Sequence, residues 1–184
     1  MTDISPHLLI NQSSGNVEIY TPSAIIEAAR RTMSGIDLDP ASSETANLRV
    51  KATRFFTQAD DGLSKVWHGK VWHGKVWHGK VWQNHPFSRA LNAKWINKLV
   101  SEYKAGNITA ACAICFASTS EKWFRPLLDY PQCFLTPRTN YLLPDGTVYR
   151  GVTKGSVVTY LGSDTASFAR EFAALGVVKI LYST

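Results

Sequence analysis

Three cysteines in 184 residues are too few, and odd in number, for a disulfide framework, which argues against a small secreted scaffold and for a reducing compartment. Long apolar runs are missing too. None approaches the ~20 residues that span a bilayer, and Asp3, Pro6 and His7 stand where a secretory signal would place positive charge and then an apolar block. Acidic residues are scarce relative to basic ones, 14 against 20, leaving a net charge of +6 that favours a polyanionic partner without identifying one. What is present is an apolar content of 45%, enough for one domain with a real core. A cytoplasmic protein with no membrane segment and no obligate protein partner is expected.

Residues 1–16 are polar and aperiodic and read as a flexible leader, with 17–184 as the single domain. Thr21-Pro22 places a capping hydroxyl before a proline suited to a first helical turn, followed by "SAIIEAARRTM" and Gly35 as a stop. "IDLDP" reads as a short strand, "SSETANLRV" as a short helix and "ATRFFT" as a second strand before an Asp60-Asp61-Gly62 turn. Val81-Trp82-Gln83 reads as a strand delivering Asn84-His85-Pro86-Phe87 at its end. Leu91, Trp95, Leu99 and Tyr103 form one helical stripe closed by Gly106. "ITAACAICFA" is apolar enough for a strand covered on both faces. "SEKWFRPLL" reads as helix, Cys133-Phe134-Leu135 as strand and Pro144-Asp145-Gly146 as a hairpin turn; "SVVTYL", "SFAREFAAL" and "VVKILY" read as strand, helix and strand. The alternation predicts an α/β fold, a mostly parallel sheet with helices on both faces, whose ligands sit at the carboxyl ends of the strands. Two loops following strands, Asp37-Leu38-Asp39-Pro40-Ala41-Ser42 and Asn84-His85-Pro86-Phe87, are then expected side by side at one rim.

The fragments "EIYTP", "IDLDPAS" followed by "AN", "FFT", "DDGL", "VWQNHPF", "EKWF", "CF" and "RTNY" occur in that order. Together they resemble the phage-type DNA adenine-N6 methyltransferases (Dam-like), and the similarity runs from Asn16 to Leu161. The resemblance implies a Rossmann-like class I methyltransferase fold, S-adenosylmethionine as donor, and adenine flipped out of double-stranded DNA as acceptor. It also implies phage or prophage origin, and so the cytoplasm of a bacterial host.

The chemistry accounts for the residue types. The exocyclic amine of adenine is a poor nucleophile because its lone pair is delocalised into the ring. Oriented acceptors for its two hydrogens draw it towards tetrahedral geometry. Carried over by motif, the Asn84 side-chain oxygen is the first acceptor, the His85 carbonyl the second, Phe87 the face on which the base stacks, and Pro86 a stiffener of the loop. For the donor, Tyr20, Thr21 and Pro22 match the opening motif, Asp37, Asp39 and Pro40 the loop after the first strand, and Asp61 is a candidate for the adenine moiety. No metal is required.

Two departures stand out. The usual motif reads Asn-Pro-Pro-Tyr or Asn-Pro-Pro-Phe, so His85 replaces a proline. The glycine-rich donor loop of the wider superfamily is replaced by "DLDPAS". Plainer readings stay open: Asn84 as a turn cap, Phe87 as a core plug, one of Asp37 and Asp39 as a turn former, Arg138 as a surface charge. Cys112 and Cys115 have metal-pair spacing, but residues three apart on a strand point to opposite faces, so packing is expected. Methylation of cytosine N4 or protein glutamine, or a binding protein that has lost activity, are the rival functions.

"VWHGK" occurs three times before Val81. The resemblance needs one such phrase, so a tandem insertion at about 66–80 is expected, with two copies surplus. A period of five fits neither strand nor helix, and the surplus is expected to bulge out as a hairpin turning at His73-Gly74 and pairing Val71 with Val76. A tolerated loop is the expected role. DNA contact by Lys70, Lys75 and Lys80 is the alternative. His68, His73 and His78 do not converge on one metal ion at this spacing.

Overall fold

The computed structural model describes residues 18–68, 71–72, 75–76, 79–149 and 152–180. The leader expected over residues 1–16, and Lys70, His73 and His78 of the repeat, lie outside them.

The first helix, α1 (Ser23–Met33), turns Ile25, Ile26, Ala29 and Met33 inward at helical spacing. Pro22, not Thr21, occupies its capping position, and no side chain caps it. Thr21 lies one residue too early for its hydroxyl to reach the free N–H groups. The helix ends through Ser34 at φ 55° and Gly35 at φ 136°, whose N–H reaches back to the Arg30 carbonyl at 2.9 Å. Next come β1 (Leu38–Asp39), α2 (Glu44–Val50) and β2 (Arg54–Phe55). The Ser43 hydroxyl accepts from the Ala46 N–H at 3.1 Å to cap α2.

Within the repeat, β3 (Val71–Trp72) and β4 (Lys75–Val76) pair antiparallel, with Val71 opposite Val76 as the tight reversal requires. β5 (Gly79–Gln83) follows, and α3 (Arg89–Lys104) opens on Ser88, whose hydroxyl accepts from Leu91 N at 3.2 Å. β6 (Ile108–Phe116) is buried at every position but Thr109, as a strand covered on both faces should be. The helix expected over "SEKWFRPLL" reduces to one 3-10 turn, Arg125–Leu127. Pro126 has no N–H to give and cannot continue a helix, although Phe124 and Leu127 still bury completely. β7 (Gln132–Leu135), β8 (Ser156–Leu161), α4 (Thr165–Phe172) and β9 (Gly176–Lys179) complete the order. Between β7 and β8, Leu142 bridges Val148 across the Pro144-Asp145-Gly146 turn.

Seven strands form one sheet in the order β2-β1-β5-β6-β8-β7-β9. The expectation of a mostly parallel sheet is corrected here. β2, β1, β5 and β6 pair in parallel, but β6-β8, β8-β7 and β7-β9 are antiparallel and carry more of the paired residues. Period-two patterning marks a strand without marking its direction. Between β7 and β8 there is no helix among the described residues, and these strands lie as antiparallel neighbours. Helix α1 packs with α4, and α3 with the 3-10 turn, while both helices α1 and α3 also touch β6. No helix among the described residues is long and apolar enough to cross a membrane.

One pairing positions the site. Leu38 of β1 stands beside Val81 of β5, in parallel, so the loops that leave these strands emerge together at their carboxyl ends.

Candidate active site

Asp39 closes β1 with 2% of its surface exposed. Its Oδ1 accepts the Ala41 N–H at 3.2 Å, and it forms no ion pair among the described residues. Burial pushes its carboxyl up to about 7, against the pull of Ser42 and the Ala41 N–H. Backbone bonds from Phe56 N to Asp39 O (3.0 Å) and from Ser42 N to Phe56 O (2.8 Å) pin the loop to the end of β2. Asp37 is used otherwise. Its carboxylate accepts the Lys80 N–H and its own N–H donates to the Lys80 carbonyl, both at 2.8 Å, which clamps β1 to β5.

The Asp61-Gly62 turn presses on this loop from above: a Cβ on Gly62 would lie 1.9 Å from the Pro40 carbonyl oxygen. Only a residue without a side chain permits that approach. The Gly62 carbonyl in turn accepts the indole N–H of Trp67 at 2.9 Å. Trp67 belongs to the first copy of the repeat and is completely buried, like Trp82 in β5.

Asn84 leaves β5 half-buried, and its Nδ2 donates to the Ile19 carbonyl at 3.3 Å. That bond identifies which end of the amide is nitrogen and leaves Oδ1 to accept elsewhere. Ile19 precedes Tyr20, which bridges Leu142 through bonds of 2.7 and 2.9 Å, so the opening motif, the catalytic-loop candidate and the 142–148 hairpin are tied together. The His85 imidazole turns inward, 1% exposed, with Nδ1 3.1 Å from Gln83 Nε2. Burial lowers its pKa to about 4, outweighing the Asn92 side chain, so the ring is neutral at physiological pH. The Phe87 ring lies 4.6 Å from Phe116 and 5.8 Å from Tyr141, 8% exposed.

These segments enclose a cleft of about 850 Å3. Tyr20, Thr21, Asp39, Pro40, Asp61, Asn84, His85, Pro86 and Phe87 line it. Pro22, at the cap of α1, and Asp37, in its strand clamp, do not. Arg138 is exposed and outside the cleft, and the Lys80 ammonium donates to the Ser34 carbonyl at 3.2 Å at the end of α1. Cys112, Cys115 and Cys133 are free and buried, their thiols pushed up by burial.

Sequence reasoning missed Gln83 and Asn92, both buried polar residues beside His85. The signal was there. Gln83 follows the buried apolar pair Val81-Trp82 at the end of β5, and Asn92 falls three residues before Trp95 on the inward face of α3. Trp95 was legible as core, yet it also lines the cleft and stacks on His85, ring centres 6.3 Å apart.

A family model described as DNA N-6-adenine-methyltransferase (Dam) matches residues 15–140, more than half of the chain. No curated protein matches it.

Proposed function

Since this chain belongs to the DNA N-6-adenine-methyltransferase (Dam) family and so methylates adenine N6 in DNA, we propose that it takes the methyl group from S-adenosylmethionine bound in the cleft between the β1 and β5 loops. We read the parallel half of the sheet as a Rossmann-like methyltransferase core. The observation that carries this reading is the placement of Asp39 and Asn84 on one cleft, at the ends of neighbouring parallel strands.

The residues fit such a donor. Asp39 is a buried carboxylate without a cation, a costly state that a positively charged ligand relieves. The Thr21 hydroxyl on the same cleft is buried with no partner among the described residues, a donor and acceptor that a ligand could satisfy. Asp39, Thr21 and Tyr20 would hold the amino-acid end, with Asp61 towards the adenine moiety. When bound, the donor supplies an electrophilic methyl group on a sulfonium.

The chain's own work is on the acceptor. Asn84 Oδ1 accepts one hydrogen of the adenine amine and the His85 carbonyl the other. Both bonds strengthen as positive charge builds on that nitrogen, so they favour the transition state over the bound base. The base must leave the duplex to reach them, at a cost of a few kcal/mol in stacking and pairing. Phe87 offers limited compensation, because most of its ring already packs on Phe116 and Tyr141.

We read two copies of the repeat as an insertion beside this machinery, while Trp67 of the first copy and Gly79-Lys80 of the third belong to the fold. Incubation with methyl-labelled S-adenosylmethionine and duplex DNA, followed by digestion to nucleosides, tests the reading. Label in N6-methyladenine is the expected result; folded protein that binds no donor contradicts it.

A further inference from the structure

Resting on the reading of Asn84 as the amine acceptor, we propose that His85 and Asn92 form a buried positioning pair that holds the Asn84 loop in register for methyl transfer. His85 stands between Asn84 and Pro86, its ring inside the protein and stacked on Trp95. Gln83 Nε2 can only donate, so Nδ1 accepts and the ring hydrogen sits on Nε2. Nε2 and Asn92 Oδ1 are both buried, and neither makes a hydrogen bond of good geometry among the described residues. One is a donor and the other an acceptor, and His85 stacks on Trp95, one helical turn after Asn92 on the same buried face of α3, a placement consistent with the pull of the Asn92 side chain on the ring's proton affinity. Unpaired buried polar atoms are costly; a small approach of the two satisfies both at once.

Asn92 lies in the first turn of α3, which is capped by Ser88, directly after the loop. Closing the pair therefore ties the middle of the loop to the beginning of a helix that Trp95 and Leu99 anchor in the core. The contact between the two side chains has no part in holding base or donor. It acts through the Asn84 amide and the His85 carbonyl, whose directions depend on the backbone between them, and small misplacements of such groups are expensive in rate.

The test compares kcat and KM of the full chain with those of His85→Ala, Asn92→Ala, the double variant and His85→Pro. Each alanine variant lowers kcat about 10-fold and leaves KM for donor and DNA unchanged, and the double variant is no slower than the slower single. His85→Pro, whose ring fixes the backbone without a partner, recovers most of the rate lost in His85→Ala and is indifferent to Asn92→Ala. Unchanged kcat in Asn92→Ala, additive losses, or an equal Asn92→Ala loss in the His85→Pro background overturns the pair. If His85→Ala does not fold, the Asn92→Ala and His85→Pro arms decide. Wild-type protein that transfers no methyl group overturns the functional reading and the pair with it; active wild type with unaffected variants overturns the pair alone.

Discussion

A Cβ added to Gly79 would lie 3.8 Å from the Trp67 carbonyl oxygen, so the end of the third copy of the repeat returns to the start of the first. Trp67, bonded to Gly62, and Trp82, in β5, are both completely buried. Removing residues 69–78 joins His68 to Gly79 and restores a single Trp-His-Gly-Lys phrase. Such a variant is expected to melt within a few degrees of wild type and to keep its methyl-transfer rate, because shortening a surface loop changes little entropy. Loss of folding means instead that the repeat is part of the structure, and a rate reduced 10-fold or more in folded protein means that it takes part in catalysis or DNA binding.

Asp39 ties donor affinity to pH. With a folded pKa of about 7, its carboxyl is mostly protonated at pH 6. A cationic donor beside it lowers that pKa, so binding releases a proton and tightens as pH rises from 6 to 8. Calorimetry in buffers of different ionisation enthalpy measures that proton directly. Asp39→Asn removes the pH dependence and weakens binding by about 10-fold or more; flat wild-type affinity over this range contradicts the role.

Stability carries two opposing pH terms. His85 titrates near 4 in the folded protein against 6.5 ordinarily, so the unfolded chain takes up its proton first, and stability present above pH 6.5 declines as pH falls through 4. Asp39 titrates near 7 against 3.8, so its contribution is greatest below 3.8 and is lost as pH rises through 7. At ~1.4 kcal/mol per unit each amounts to a few kcal/mol, and they offset one another between pH 4 and 6.5. Urea titrations should show Asp39→Asn losing stability on acidification more steeply than wild type, and His85→Ala gaining it. Parallel pH curves for all three proteins would mean that these groups are not buried as described.

Gly62→Ala should be costly. The added carbon meets the Pro40 carbonyl oxygen, a backbone atom that cannot swing aside, so loss of a few kcal/mol of stability and weaker donor binding are expected. A variant as stable as wild type would show that the turn and the β1 loop do not press together.

Much of the site was legible because an apolar strand ending in Asp-Pro or Asn-His-Pro announces its loop, and parallel β1 and β5 bring both loops to one edge. Strand direction beyond β6 was not legible, since burial alternation is the same either way. The helix over Ser120–Leu128 failed because its apolar residues bury as a helix would, while Pro126 forbids the hydrogen bonds. The role of Asp37 was hidden by its spacing from Asp39: the two are alternate residues, one just before β1 and one at its end, and only the bonds between Asp37 and Lys80 show which carboxylate is consumed in the sheet. Gln83 and Asn92 escaped notice because buried polar residues acquire meaning only from neighbours distant in sequence.

The central claim is that the Asn84 amide oxygen holds the adenine amine against the methyl donor. Single-turnover transfer by Asn84→Ala, with donor affinity measured on the same sample, tests it most directly. A rate at least 100-fold below wild type with donor affinity unchanged is predicted; a variant that methylates adenine as fast as wild type would contradict it.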